Sequence, residues 1–368
     1  MSAAIRAMTE SEANAAATDL VRRLLTQGVV DAAMVPRQVG DDTVAHCVTS
    51  SPDRVPDVAL FTPLFVGNAA RQIRELLQRE ACSRRLAVLL RPCEVRALTE
   101  LAKLEQTPLD GLLTISADCL GAYSHADYAK RVAGGSLPRI AQAIQGGVYP
   151  EARMACRMCE FPTAPAADLV MGLIGAPSPN ALALSAQTET GRQALRTLDI
   201  TPLEELGPQR QQELDRIRAS RRQAREQILG EARDTLAGPD ALHSALRFCI
   251  ACHNCMRVCP ICYCERCSLE GHPMHQSVRA DTARHGGSRK LPSDVLPYHI
   301  GRMTHMVLSC VGCGACEDAC PTSIPLTVLM KLVAEDAQAL FEYVPGLSLE
   351  DPLPLGTYRE DELVAVAS

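Results

Sequence analysis

The sequence predicts two fold classes in one chain: an α/β domain over residues 1–200 and a smaller α+β domain over 246–330. A charged helical connector (201–245) joins them, and a C-terminal helix with an extended docking tail (331–368) follows. Three observations predict this. Apolar runs alternate with helical stretches before residue 200, a breaker-poor stretch dense in Arg and Glu covers 204–236, and a cysteine rhythm is written twice after residue 246.

Taken in order, VPDVALFTPLFV (55–66) reads as a buried strand, and RRLAVLL (84–90) as a second one. In RPCEVRALTELAKLEQ the spacing of Val95, Leu98, Leu101 and Leu104 turns helical, and DGLLTISADC (110–119) returns to an apolar, partly β-branched strand pattern. Strand–helix–strand order of this kind favours some parallel sheet. Residues 204–236 read as a long solvated helix or helical hairpin, a charged connector held out in water, ended by Gly238 and Pro239.

Net charge is -6, aromatics are 3% and Trp is absent, which argues against nucleic-acid and membrane surfaces. With 47% apolar residues in 368, a sizeable core is available. The N-terminus lacks the unbroken apolar stretch of a signal peptide, and no run of ~18 apolar residues is present. The 17 cysteines are therefore expected in a reduced, cytoplasmic setting, where clusters of thiols read as metal sites.

Cys249, Cys252, Cys255 and Cys259 precede Pro260, and Cys310, Cys313, Cys316 and Cys320 precede Pro321. Both runs match C-x2-C-x2-C-x3-C-P, the bacterial-type two-[4Fe–4S] ferredoxin-like pattern. Three closely spaced thiolates wrap one cubane, while the fourth lies beyond a short turn and reaches the other. Cluster one is thus expected on Cys249, Cys252, Cys255 and Cys320, and cluster two on Cys310, Cys313, Cys316 and Cys259. Zinc knuckles use other spacings. Small residues in the loops (Ala251, Gly312, Gly314, Ala315) leave backbone N–H groups free to approach sulfur.

Cys262, Cys264 and Cys267 follow at once, either as additional ligands or as packing residues beside the first run. Cys156 and Cys159 form a lone CxxC, open between a redox dithiol, zinc and half a cluster site. Cys93 and Cys119 each end a strand-like run, and strand ends in an α/β sheet face one crevice, so all four can converge there. His253, His299 and His305 read as structural or surface groups, both runs being complete without them. No GxSxG, P-loop or HExxH signature is present.

Beyond these patterns, RPCEVRAL, ADCLG and CRMCEFPTAPAADLVMGLIG, in that order, resemble the beta subunits of coenzyme F420-reducing hydrogenases and formate dehydrogenases. CPICYCERC, LPYHIGRMTHM and FEYVPGLSLEDPLPLGTYREDEL are similar to the formate dehydrogenase branch, and the resemblance runs from about residue 55 to 365. It implies an α/β flavin-binding domain holding FAD and a third cluster on Cys93, Cys119, Cys156 and Cys159. It also implies electron transfer between a two-electron carrier, F420 or NAD(P)H, and [4Fe–4S] clusters leading to a partner. That partner would be a formate dehydrogenase, a hydrogenase or a heterodisulfide-reductase-like protein. No GxGxxG fingerprint marks the flavin, so its candidate contacts are Gly67, Asn68, Arg71, Arg91 and Arg96. The rival readings are a flavin-free Fe–S adaptor and a ferredoxin-dependent reductase of a small organic substrate.

Overall fold

The computed structural model describes residues 9–79, 85–176, 183–200, 207–236, 238–265, 267, 269 and 295–356. Helix α1 (Glu10–Thr26) opens on a capping box in which Thr9 Oγ1 accepts from Glu12 N at 3.2 Å and Glu12 Oε2 accepts from Thr9 N at 2.7 Å. A hairpin, β1 (Ala32–Val39) and β2 (Thr43–Thr49), comes next, then α2 (Ala69–Arg79), β3 (Leu86–Leu90), α3 (Pro92–Lys103) and β4 (Leu112–Ala117). Helices α4 (His125–Ala133), α5 (Ile140–Gly146) and the single turn α6 (Met154–Arg157) lead to β5 (Leu169–Gly172), β6 (Ala183–Ala186) and α7 (Glu189–Thr197).

The six strands form one sheet in the order β2-β1-β3-β4-β5-β6. The centre, β1-β3-β4-β5, is parallel, and each edge is antiparallel. Strand β3 shows why the sheet needs cover on both sides. Ala87 and Leu89 enter the core shared with α1, while Leu86, Val88 and Leu90 enter the core shared with α3 and the cysteine-rich half. The C-terminal module therefore lies over one face of the sheet.

Residues 58–65 are buried, but the stretch 55–66 forms no strand. They make only isolated bridges, Val58 with Arg37 and Leu64 with Tyr123. Pro56 and Pro63 lack the N–H a ladder needs. Two of the remaining donors go to α1 side chains, Val58 N to Thr18 Oγ1 at 3.0 Å and Phe61 N to Asn14 Oδ1 at 2.9 Å, and others reach scattered carbonyls, Ala59 N to Pro36 O at 2.8 Å and Phe65 N to Tyr123 O at 3.2 Å.

The connector also departs from expectation. Helix α8 (Gly207–Thr235) runs the length of the charged stretch, yet it is docked rather than held in water. Leu214, Ile217, Arg221 and Leu229 are buried along one stripe, and Arg210 forms a buried bidentate pair with Asp118 at 2.6 and 2.8 Å. After α9 (Pro239–Leu246), the described residues of 246–330 contain helices and turns but no strand, so the β part of the expected α+β module is not among them. Its longer helices are Val295–Met306 and Leu326–Leu340. The following segment returns to α3, where Arg96 donates to Pro345 O at 3.0 and 2.8 Å and Glu100 Oε2 accepts from Tyr343 Oη at 2.6 Å and Gly346 N at 2.9 Å. This first part of the tail thus docks on its own chain.

Among the described residues no helix is long and apolar enough to cross a membrane.

Candidate iron–sulfur sites

The two cysteine runs fold as copies of one loop. In each, the second and fourth residues after the first cysteine take left-handed backbone: Ala251 (φ 53°) and His253 (φ 58°), then Gly312 (φ 69°) and Gly314 (φ 74°). That reversal turns N–H groups toward sulfur. Ala251 N–H reaches Cys249, Gly312 N–H reaches Cys310, and Ala315 N–H reaches Cys313. A single helical turn closes each loop, Asn254–Arg257 and Ala315–Asp318, and the two turns pack against each other.

This packing brings the end of each run to the start of the other. Cys259 lines one pocket with Cys310, Cys313 and Cys316, the crossed set expected for cluster two. Cys249 has Cys255, Cys252 and Cys320 for electrostatic neighbours, the crossed set for cluster one. Among the described residues, no group of three or more His, Cys, Asp or Glu is set to hold a single ion.

The second pocket also fits a polyanionic sulfur ligand. Arg302 is 2% exposed, and its Nε and Nη1 have no protein partner. Thr327 Oγ1 is buried and equally unpartnered. Both residues line the pocket with the four cysteines, as does Lys331. Orphaned buried donors are costly unless an acceptor fills the space. Burial holds the thiols of Cys310 and Cys316 above their usual range and pushes Cys313 up to about 12. Loading metal onto these residues must therefore release protons.

Around the first loop the groups differ. Tyr298 Oη lies 3.5 Å from Cys255 Sγ, and His253 stacks on the Tyr298 ring at 4.2 Å. His299 Nε2 lies 3.4 Å from Cys249 Sγ, and burial lowers its imidazole to about 4, so it is neutral near pH 7.

The α/β half brings its own four cysteines together. Cys93 starts α3 just past β3, Cys119 follows β4, and Cys156 and Cys159 flank the end of α6. All four line one pocket at the carboxyl ends of the strands, beside Arg91, Arg153 and Arg221. Gly312 and Cys313 line both this pocket and that of the second loop, so the two adjoin. Arg153 spans them. It donates to Cys313 O at 2.7 Å, pairs with Asp318 at 2.8 Å, and lies over the Phe65 ring at 4.0 Å with Nη1 4.0 Å from Cys156 Sγ. Arg221 of α8 donates to Cys119 O at 2.9 Å and Cys159 O at 3.2 Å.

Cys262, Cys264 and Cys267 share a separate, more open pocket with Arg71 and His305. Cys262 lies 3.4 Å from Met306 Sδ, and its thiol also neighbours Cys259, where it holds that sulfur well below the usual thiol range. Cys267 Sγ lies 3.7 Å from Met256 Sδ.

The five residues nominated for FAD are not brought together. Arg91 holds the carbonyls of Thr62 and Leu64 beside the cysteine pocket. Arg96 is spent on Pro345 O and Val311 O and lies 3.7 Å over the Phe161 ring. Arg71 pairs with Glu75 at 2.9 Å in the pocket of Cys262. Asn68 Oδ1 accepts from Ala70 N at 3.1 Å while its amide reaches Cys93 O at 3.4 Å, and Gly67 (φ 123°) has open space where a Cβ would stand. These side chains form no dinucleotide cradle.

The residues that sequence reasoning missed are cations and one hydroxyl: Arg153, Arg221, Arg302, Thr327 and Lys331. Only Arg221 carried a signal, its place on the stripe of Leu214, Ile217 and Leu229.

Comparison with known proteins agrees with this geometry. Residues 245–324 match the 4Fe–4S dicluster domain. The chain is 25% identical over 374 residues to the F420-dependent formate dehydrogenase subunit beta of Methanocaldococcus jannaschii, covering 92% of this chain and 93% of that one. It is 26% identical over 389 residues to the F420-dependent formate dehydrogenase 1 subunit beta of Methanococcus maripaludis, covering 95% of each. A chain of the xenon-derivatized F420-reducing [NiFe] hydrogenase complex from Methanosarcina barkeri aligns with a TM-score of 0.45 at 14% identity, over 59% of this chain and 85% of that one. The chain is similar over nearly its whole length to beta subunits of F420-dependent formate dehydrogenases, and it carries a 4Fe–4S dicluster domain across its two cysteine runs.

Proposed function

We propose that this protein is the iron–sulfur electron-transfer subunit of an oxidoreductase complex. It passes electrons between a two-electron carrier, F420 or NAD(P)H, and a partner of the formate dehydrogenase or hydrogenase kind. The observation that carries this reading is the crossed pocket. Cys259 stands with Cys310, Cys313 and Cys316, and through Gly312 and Cys313 that pocket adjoins the one lined by Cys93, Cys119, Cys156 and Cys159. Cubane clusters, when bound, accept and release single electrons with little rearrangement.

In this reading Cys249, Cys252, Cys255 and Cys320 hold the first cluster, and Cys310, Cys313, Cys316 and Cys259 hold the second. Cys93, Cys119, Cys156 and Cys159 hold a third. The chain's own part is to fix the sulfurs, exclude water and set charge. The N–H groups of Ala251, Gly312 and Ala315 orient sulfur in the loops. Arg153, Arg91 and Arg221 close the third pocket and hold its backbone. Cys262 acts on the Cys259 sulfur from outside the ligand set. FAD in the α/β half is part of the reading and rests on the resemblance of the whole chain. Gly67, Asn68, Arg71, Arg91 and Arg96 do not fit a flavin cradle, and no step is assigned to them.

The test is iron, sulfide and flavin analysis of the anaerobically isolated complex, with F420, NADH and NADPH each tried as reductant. About twelve irons per chain and bleaching of a flavin band by one carrier are expected. Iron without flavin would favour the adaptor reading, and zinc without iron would sink both.

A further inference from the structure

The two loops share a backbone but not a charge environment. The pocket of Cys259, Cys310, Cys313 and Cys316 is lined by Arg302 and Lys331, and by no carboxylate. Arg302 spends one nitrogen, Nη2, on Cys255 O at 3.0 Å, and its other two donor nitrogens are buried without a protein partner. Lys331 crosses directly over the second loop. A Cβ placed on Gly312 would clash with Lys331 Cε and stand 2.9 Å from Nζ. Thr327 adds an orphaned hydroxyl to the same space.

Neither nearby acid is paired with these cations: Asp318 is taken by Arg153 at 2.8 Å, and the Glu317 carboxylate is turned to Thr327 N at 2.8 Å. The first loop is met instead by a phenol and an imidazole, Tyr298 Oη at 3.5 Å and His299 Nε2 at 3.4 Å from its sulfurs. Its cation, Arg302, addresses it through a backbone carbonyl.

We propose that Arg302 and Lys331, aided by the Thr327 hydroxyl, set the reduction potential of the second-loop cluster above that of the first. The middle site of the relay is then its electron sink. Adding one electron makes a cluster one unit more negative, and an unpaired cation in a low-dielectric pocket favours that state. The position matters because the second loop borders the four-cysteine pocket of the α/β half. Electrons arriving there would rest in the second site until the first is drained by a partner. This inference rests on the cluster reading above and extends it to the order of potentials.

The test is a potentiometric titration of the full chain, isolated or reconstituted anaerobically, followed by electron paramagnetic resonance. Wild type, Lys331→Met, Lys331→Arg and Thr327→Val are compared. Cys252→Ser and Cys316→Ser, which remove a ligand from the first and the second loop respectively, identify the signal of each loop. Of those two midpoints, the higher is expected to belong to the second loop. Lys331→Met should lower that midpoint alone, cutting the reduced-to-oxidised ratio at fixed potential by about tenfold, equal to about 59 mV for a one-electron couple. Lys331→Arg should restore it. Thr327→Val should move it the same way by less, and this arm stands if the lysine variant fails to fold. Full iron content with both midpoints unmoved, or with the higher one on the first loop, overturns the inference alone. A chain free of iron overturns the cluster reading and this inference with it.

Discussion

The two cysteine loops teach what embedding does to a repeated motif. Their backbones agree down to the two left-handed residues, but the second loop is clamped and the first is not. Val311 O, Cys313 O and Cys310 O are held by Arg96 at 3.2 Å, Arg153 at 2.7 Å and Gln338 at 3.1 Å. Two of those three side chains come from the α/β half. On the first loop a single guanidinium, Arg302, binds Cys255 O, and the residues flanking Cys249 face water: Phe248 is 56% exposed and Ile250 59%. One loop is therefore clamped to the α/β half, while the other is buried around Cys255 and Met256 but open to water beside Cys249.

The broadest test, reaching both loops at once, is metal removal. With a chelator under reducing conditions, iron should leave the first site at least about tenfold faster than the second, since ~1.4 kcal/mol in local opening gives that factor. Loss of the two signals in step would break the comparison. Next is Arg153→Met, which strips Asp318 of its partner and frees Cys313 O. It should cost ~3 kcal/mol, the lower end for breaking a largely buried pair, and lower iron occupancy of the second loop. Denaturant unfolding and iron per chain measure both.

A smaller asymmetry separates equivalent positions. Gly312→Ala forces a Cβ into the left-handed region against Lys331, and should destabilise by ~1–2 kcal/mol. Ala251 already bears that strain in the first loop, so Ala251→Gly should be neutral or mildly stabilising. Equal losses from both would show that the loops are interchangeable. Smallest of all, Phe248→Ser and Ile250→Ser should change unfolding free energy by less than ~0.5 kcal/mol, as for residues that face solvent. A larger loss would place them in a core.

Much of this was legible in the sequence because cysteine spacing is a covalent constraint. A C-x2-C-x2-C-x3-C-P run leaves few ways to present its sulfurs, and the spacing already suggested that Cys259 would stand with the second run, where the structure has it. The central strands were equally clear, LAVLL being apolar on both faces and LLTISA on one, as buried strands of a parallel sheet require. What could not be read was tertiary. Residues 55–66 carry a strand's composition, yet two prolines and the side chains of Asn14 and Thr18 divert their donors. In α8 the charges suggested a solvated connector, because no local rule says that Arg210 will meet Asp118 or that Arg221 will reach the carbonyls of Cys119 and Cys159. The flavin contacts were illegible for the same reason. An arginine near a strand end has many possible partners, and Arg91 and Arg96 chose backbone carbonyls.

The central claim is that each run completes the other's site, and a paired substitution tests it most directly. Iron, acid-labile sulfide and paramagnetic spectra would be compared for Cys259→Ser and Cys320→Ser, prepared anaerobically. Crossed ligation predicts that Cys259→Ser damages the second-loop signal and leaves the first, and that Cys320→Ser does the reverse. If each substitution instead harmed the signal of its own run, or if neither protein held iron and sulfide to begin with, the account would be contradicted.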